Sequence, residues 1–592
     1  MTLNTFSPAR LASSSLGTAA LLAAGLFTAG GAQAQSVCNS FYPAGFSLVQ
    51  GQSNPAIASM SKPAKGVALS EPNFNVCLVR GTNHTTETNT QFLRNDYSRR
   101  QAFNANDTYF IAYSGDGWWH LYDANTLQYL RKLSPRVVNP SVSSEFHLAG
   151  DAEPHWHPTD PNLLYYVTNN GGTKLLRLDV RNNSYIIAAD FAGKLPAWGN
   201  SAQHIWTKSE GSPSADGRYW GFQVENGSFN LLGYMVWDLQ QNRLVGSRQD
   251  GNRPDHSSMS AGGRWYVTSD DATGTWAWSP DFTQKKKLHA KSEHSDLALG
   301  PNGEDMYVSV DYQSGAGDVF MTNMDSCPAV PASASTAPIC PRTVLFPTYL
   351  NGAATAMHFS GKAFNRPGWV LWSTYGTSKS RDGSWPWYRD KIMAVELKAN
   401  PRMYPIAYHR SNVGDYFAEP HATVNRDFTR IAFNTNWGNS NALDLDVYLI
   451  GLPATALPGV GVPPPITAPP MGGNLPPLLS AGVNAGPPAA ASTSAVSPSP
   501  SLGAGGTTVD SRVFTIRCVV CGGSERVASA WRTMLSAMAW LRSTWTPTYL
   551  WGAAKSLRDE PARPLVAARP LASKATQADI HVRRLREAEH RR

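Results

Sequence analysis

Between about Asn73 and Leu452 apolar and polar positions alternate in short runs, each cut by Gly, Pro, Asn, Asp or Ser. Alternation with period two and frequent turn signals predicts antiparallel strands rather than helices. One pattern recurs along this stretch. Ser212-Pro-Ser-Ala-Asp-Gly-Arg-Tyr-Trp-Gly-Phe222 is its clearest copy: a strand, a turn of small or acidic residues, then a hydrophobic strand. Counterparts lie at 102–113, 155–166, 258–267, 297–308, 358–372 and 422–433, which makes seven copies. The spacing, roughly 40–60 residues, is that of one four-stranded sheet per copy. Such a sheet cannot bury both faces alone. Packing copies radially around an axis solves this and leaves few exposed edges. The expected fold is therefore all-β, a seven-bladed β-propeller closed between its first and last blades.

The flanks read differently. Arg10, an apolar run over 16–27 and Ala32-Gln33-Ala34 have the form of a signal peptide, residues 1–34, cut after Ala34. An N-terminal segment, 35–72, leads into the propeller, 73–452. Residues 453–510 are a linker rich in Pro, Ala, Gly and Ser, expected to be extended and disordered. Residues 511–592 form a basic tail with 15 Lys and Arg against 6 Asp and Glu. It is expected to be poorly ordered, and is either a genuine tail or the product of a reading frame lost near Gly486. The chain's formal charge of +8 thus belongs to the tail, and the main body gives no reason to expect nucleic acid. No later segment is apolar enough to span a membrane. The mature protein is expected to be a secreted or periplasmic monomer.

Six cysteines fit an oxidising compartment. Cys38 with Cys77, and Cys327 with Cys340, are the pairing favoured by proximity among three possible ones. Cys518-Val-Val-Cys521 stands without a second pair and is weak evidence for zinc or redox chemistry.

The candidate chemistry lies just ahead of the repeats, where innermost strands begin and side chains from different blades converge on the axis. Arg100, Glu153, Glu210, His256 and His421 occupy this position, and His294 and His358 the related one in the other two blades. Neutral imidazoles suit a borderline divalent ion. His294, His358 and His421 are the expected metal ligands. Arg100 would clamp a carboxylate, and His256 or Tyr416, with Tyr97 a further candidate, would move a proton. Glu153 and Glu210 would contact substrate. Trp385 and Trp387, on the loop 377–387, would contact a glycan. Asp255, Glu293 and Asp296 would orient neighbouring rings. The bland alternative is that these groups only fasten strands, as polar residues at blade starts do in many propellers.

The repeats resemble those of TolB-like and WD-repeat-like propellers. Glu419-Pro-His421 with Ile431-Ala-Phe-Asn-Thr-Asn436, and His358-Phe-Ser-Gly361 with Arg366-Pro-Gly-Trp369, resemble segments of the oligogalacturonate lyases. That resemblance implies a seven-bladed propeller holding a divalent metal (manganese, zinc or calcium) on its axis, and eliminative cleavage of an acidic polysaccharide or oligosaccharide. The other function class is a non-catalytic extracytoplasmic propeller that binds protein or glycan. No phosphate loop, dinucleotide fingerprint or nucleophile elbow is present in the sequence.

Overall fold

The computed structural model describes residues 37–459, apart from Ser209. The expected signal peptide, the basic tail with Cys518 and Cys521, and all but the start of the linker lie outside the described residues. The strands form seven antiparallel sheets, the blades of a propeller. Blades two to six each have a body of four strands, beginning at His155–Trp156, Ala202–Trp206, His256–Met259, Ser295–Leu299 and Ala356–Ser360; Val330–Pro331, which interrupts blade five in sequence, pairs instead as a fifth strand on blade four. These first strands are innermost: His256–Met259 touches blade three, and Ala356–Ser360 touches the first strands of blades five and seven.

Ring closure uses strands that carry no repeat signature. Blade seven runs from Thr423–Val424 through Arg430–Thr435 to Asp446–Gly451, and Cys77–Arg80 and Leu69–Ser70 then add its outer edge. Asp446 is fully buried at this seam. It accepts hydrogen bonds from Arg80 Nη2 (2.6 Å) and Nε (3.0 Å), Thr82 Oγ1 (2.9 Å) and the His84 amide (3.0 Å). Upstream of these strands, the chain lies along blades six and seven. Gly51 N donates to Met403 O, Tyr408 Oη to Pro55 O, and Trp437 Nε1 to Met60 O. Disulfides join Cys38 to Cys77 and Cys327 to Cys340. They fit an oxidising compartment. No helix among the described residues is long and apolar enough to cross a membrane.

The core lies between the faces of adjacent blades. Phe346 of blade five meets Trp372 and Trp387 of blade six, and Trp369, Tyr408, Phe433 and Tyr448 fill the layer between blades six and seven. Each such side chain contributes roughly 1.5–3 kcal/mol by leaving water.

The axis is filled. Blade one's innermost strand breaks after Leu93–Arg94 and resumes only at Phe103, which bridges Phe110. The intervening residues project into the axis and are mostly buried, Tyr97, Arg99 and Arg100 among them. Arg99 pairs with Glu210 of blade three and donates through Nε to Ser295 O of blade five. Ser212 Oγ donates to Arg99 O (2.7 Å), and Thr423 of blade seven donates to Arg100 O. At the other end of the axis, Ala215, Ala261, Leu299 and Phe364 form an apolar plug, and Arg426 of blade seven reaches Ala215 O of blade three.

Acid should weaken this fold through buried neutral imidazoles. His120, in blade one, bonds Ser114 Oγ through Nε2 (2.9 Å). Burial holds its pKa down at about 4, against the ordinary 6.5, with nearby Asp116 opposing. Between these values the unfolded chain binds the proton and the folded chain does not, so stability falls as pH drops from 6.5 to 4. One such group removes about 3 kcal/mol. Urea melts at pH 7, 5.5 and 4 should show a shallower loss in H120Q than in the wild type. Parallel losses would rule His120 out.

Candidate metal centre on the propeller axis

Blade six contributes His358 from the middle of Ala356–Ser360, where period two turns Met357 and Phe359 into the blade packing. Blade seven contributes Glu419 and His421. The Asp415 side chain caps the short turn Tyr416–Ala418, and Glu419-Pro420-His421 leads from it into Thr423–Val424. Asn434 N donates to Pro420 O while Thr423 pairs with Ala432, so one extra residue is bulged out of the ladder. That residue is His421, in the left-handed region at φ +39°. Such a conformation costs about 1–3 kcal/mol in a residue other than glycine. Asn95 Nδ2 holds it there by donating to His421 O (2.7 Å). Blade two repeats the device with Glu153, at φ +50° between Ala152 and His155.

The result is a compact donor set. Ligand atoms of His358, Glu419 and His421 all lie within 4.8 Å of one another. Glu419 Oε2 is 2.9 Å from His358 Nε2 and 3.5 Å from His421 Nε2. The His358 ring lies 4.6 Å from that of His421, 5.0 Å from that of His294 and 4.9 Å, stacked, from Tyr375. Tyr97 packs against both His358 (5.3 Å) and His421 (5.1 Å). The three donor residues are 0–6% exposed. Burial first, then the positive potential of His421, His294 and Arg99, drives the His358 pKa well below the ordinary value. His358 therefore stays neutral, the form that ligates metal. Its Nδ1 is buried without a hydrogen-bond partner among the described residues. Two imidazoles and one carboxylate suit manganese or zinc.

A second group adjoins this one. His256 Nε2 lies 3.4 Å from Ser295 Oγ, and its Nδ1 is 3.5 Å from Asp255 and 3.8 Å from Glu210. Burial and then the Arg99 charge lower its pKa to about 4. Arg99 is itself buried, which works against its charge. Tyr97, Glu210, Asp296 and Asp255 outweigh that and hold the guanidinium above its ordinary range.

The three histidines expected as ligands, His294, His358 and His421, thus come together, with His294 at the half-buried margin. Tyr416 stands beside them, its ring 4.9 Å from His421. Arg100 and Glu153 are engaged elsewhere. Arg100 Nε pairs with Asp96 (2.6 Å) and its Nη2 lies 3.8 Å from Glu153, which accepts from Thr207 N and Oγ1 (2.9 Å each). These contacts tie blades one, two and three. Arg99, one residue earlier, is the guanidinium between the two groups, and sequence spacing missed it because the projecting loop has no repeat register. Glu419 has no role in the sequence reading, because Glu419-Pro420-His421 lies between a turn and a strand and follows neither period. Trp385 is half-buried, with the Arg389 guanidinium 3.7 Å and the Lys379 ammonium 5.3 Å from its ring. Trp387 is no rim residue: at 8% exposed it packs between Phe346 and Trp372.

Fold and site together define an all-β, seven-bladed propeller with a His/Glu/His donor set on its axis. No protein-family model and no curated protein matches the sequence. Solved structures are similar in fold. An oligogalacturonate lyase in complex with manganese is 13% identical, with a TM-score of 0.44 over 66% of this chain and 99% of that one. An oligogalacturonate lyase from Vibrio parahaemolyticus is 12% identical, with a TM-score of 0.43 over 67% and 100%. The Cps50 (Swd1) β-propeller domain of Myceliophteria thermophila is 10% identical, with a TM-score of 0.35 over 60% and 97%.

Proposed function

We propose that this chain is a secreted or periplasmic, divalent-metal-dependent propeller that cleaves an acidic, uronate-containing oligosaccharide by elimination. The observation that carries the reading is the gathering of His358, Glu419 and His421 on the axis. Manganese or zinc fits this donor set better than calcium, which prefers more oxygen ligands. A bound divalent ion supplies charge neutralisation at a uronate carboxylate, which acidifies the proton alpha to it. His256, kept neutral by burial, is available to accept that proton, with Asp255 and Glu210 beside Nδ1 to steady the resulting imidazolium. Tyr416, against His421, is the second acid–base candidate. Arg99 supplies a fixed positive charge next to both groups. Trp385, with Lys379 and Arg389, offers an aromatic and cationic rim on the loop that follows Tyr375.

The test is incubation with uronate oligomers and manganese, zinc or calcium, read as the ultraviolet absorbance of the unsaturated product. Absorbance that needs metal and is lost in H256A supports the reading. Silence across acidic glycans overturns it.

The burial of all three donors favours a second reading. Here the cluster fastens blades six and seven of a non-catalytic propeller that binds protein or glycan. Metal would then raise the melting temperature with no product formed.

A further inference from the structure

A cavity of about 890 Å³ lies away from the axis. It lies at the opposite end of the innermost strands, against the turns that follow them in blades one, six and seven. Asp107 comes from the first of these turns, Arg366 from the second and Asp427 from the third. The N-terminal segment around Tyr42 and Phe46, and residues 451–455, wall it on the other sides. The inner strand Thr423–Val424 stands between His421 and Asp427, so the cavity is separate from the donor set.

Its lining selects a ligand class. Asp107 and Asp427 balance Arg366 and Arg430, leaving no net charge. An anion would meet two carboxylates, and a cation two guanidiniums. An apolar ligand would displace water from these polar groups without replacing its hydrogen bonds. Arg366 Nε already has no hydrogen-bond partner among the described residues. Asn106, Asn125 and Asn365 add amides, each both donor and acceptor. Asn365 Nδ2 holds the Asp427 carboxylate (2.8 Å), and Arg430 Nη2 donates to Asn125 Oδ1 (2.6 Å), so the polar groups are braced before a ligand arrives. Tyr42 and Phe46, ring centroids 4.3 Å apart, supply an aromatic surface. Mixed donors and acceptors at zero net charge beside aromatic rings complement hydroxyl groups on one side of a sugar and its C–H face on the other. The volume falls in the range of small-molecule sites. We infer that this cavity binds a short, uncharged oligosaccharide, on the face of the disc away from the donor set.

The experiment titrates the full chain with neutral cello-, xylo-, malto- and galacto-oligosaccharides, with oligogalacturonate and inorganic phosphate as charged controls, by calorimetry and ligand-observed NMR. Asp427→Ala removes a braced acceptor, and Ala44→Trp fills the cavity from an exposed position. A neutral series should bind saturably, weaken at least tenfold in both variants and be unaffected by E419Q. If Asp427→Ala fails to fold, Ala44→Trp alone decides. The inference falls if no neutral series binds, if only a charged control binds, if binding survives Ala44→Trp, or if E419Q abolishes it. Failure here leaves the axial reading untouched.

Discussion

Replacing Glu419 with Gln should remove metal-dependent stabilisation while leaving the metal-free fold close to wild type. An ion that binds only the folded chain stabilises it by about 2.7 kcal/mol at a hundredfold excess over its dissociation constant. Gln keeps an oxygen facing His358 Nε2, now 2.9 Å from the carboxylate, but loses the negative charge that a divalent ion requires. Without metal, the exchange also removes a carboxylate at 6% exposure, a burial that is itself unfavourable. Metal-free stability should therefore change by less than about 1 kcal/mol, or rise. His421→Ala should abolish the metal effect as well, but at a cost to the metal-free fold, because Tyr97, Tyr416 and His358 lose a packed ring. Thermal melts with and without manganese, zinc or calcium, together with metal analysis of the purified protein, check this. A full metal shift in E419Q would remove Glu419 from the donor set.

The second large effect is expected at the seam. Asp446→Ala should cost about 3–5 kcal/mol, because it strands a guanidinium and two further donors that converge on one buried carboxylate. That is a large share of the roughly 5–15 kcal/mol by which a domain is stable. D446N, with one oxygen left, should lose about half as much. Urea denaturation gives the magnitudes, and hydrogen exchange at Cys77–Arg80 shows whether the closing strand frays first. A loss under about 1 kcal/mol would mean that strand pairing alone closes the ring.

The blades were legible because each repeats one strand–turn–strand signature, and the axial histidines because equivalent strand starts converge. Closure was legible only in outline: Cys77–Arg80 is four residues long and repeats nothing. The left-handed turns at Glu153 and His421 carry no glycine to announce them. Arg100 was favoured over Arg99 because repeat spacing was carried across a loop that has none. Trp385 and Trp387 look alike in sequence, but two residues apart on a loop they have different surroundings, one at the surface and one between blades. Which side of a loop faces the core is a tertiary fact that local pattern does not encode.

The loop that fills the axis also has a bearing on the order of folding. Blade one is made early in the chain, yet its axial residues find their partners far downstream. Arg99 waits for Glu210, 111 residues on, and for Ser295, 196 on, and Arg100 O waits for Thr423, 323 on. Contacts of such separation form late, after the intervening chain has organised. The loop is thus a keystone, set only when the arch around it stands. Until Glu210 and Ser295 are in place, the buried Arg99 guanidinium lacks its carboxylate and carbonyl partners, and Arg100 O lacks the Thr423 hydroxyl until the last blade forms. An incomplete ring is penalised at its centre as well as at its open edges, which couples the first blade's stability to the last.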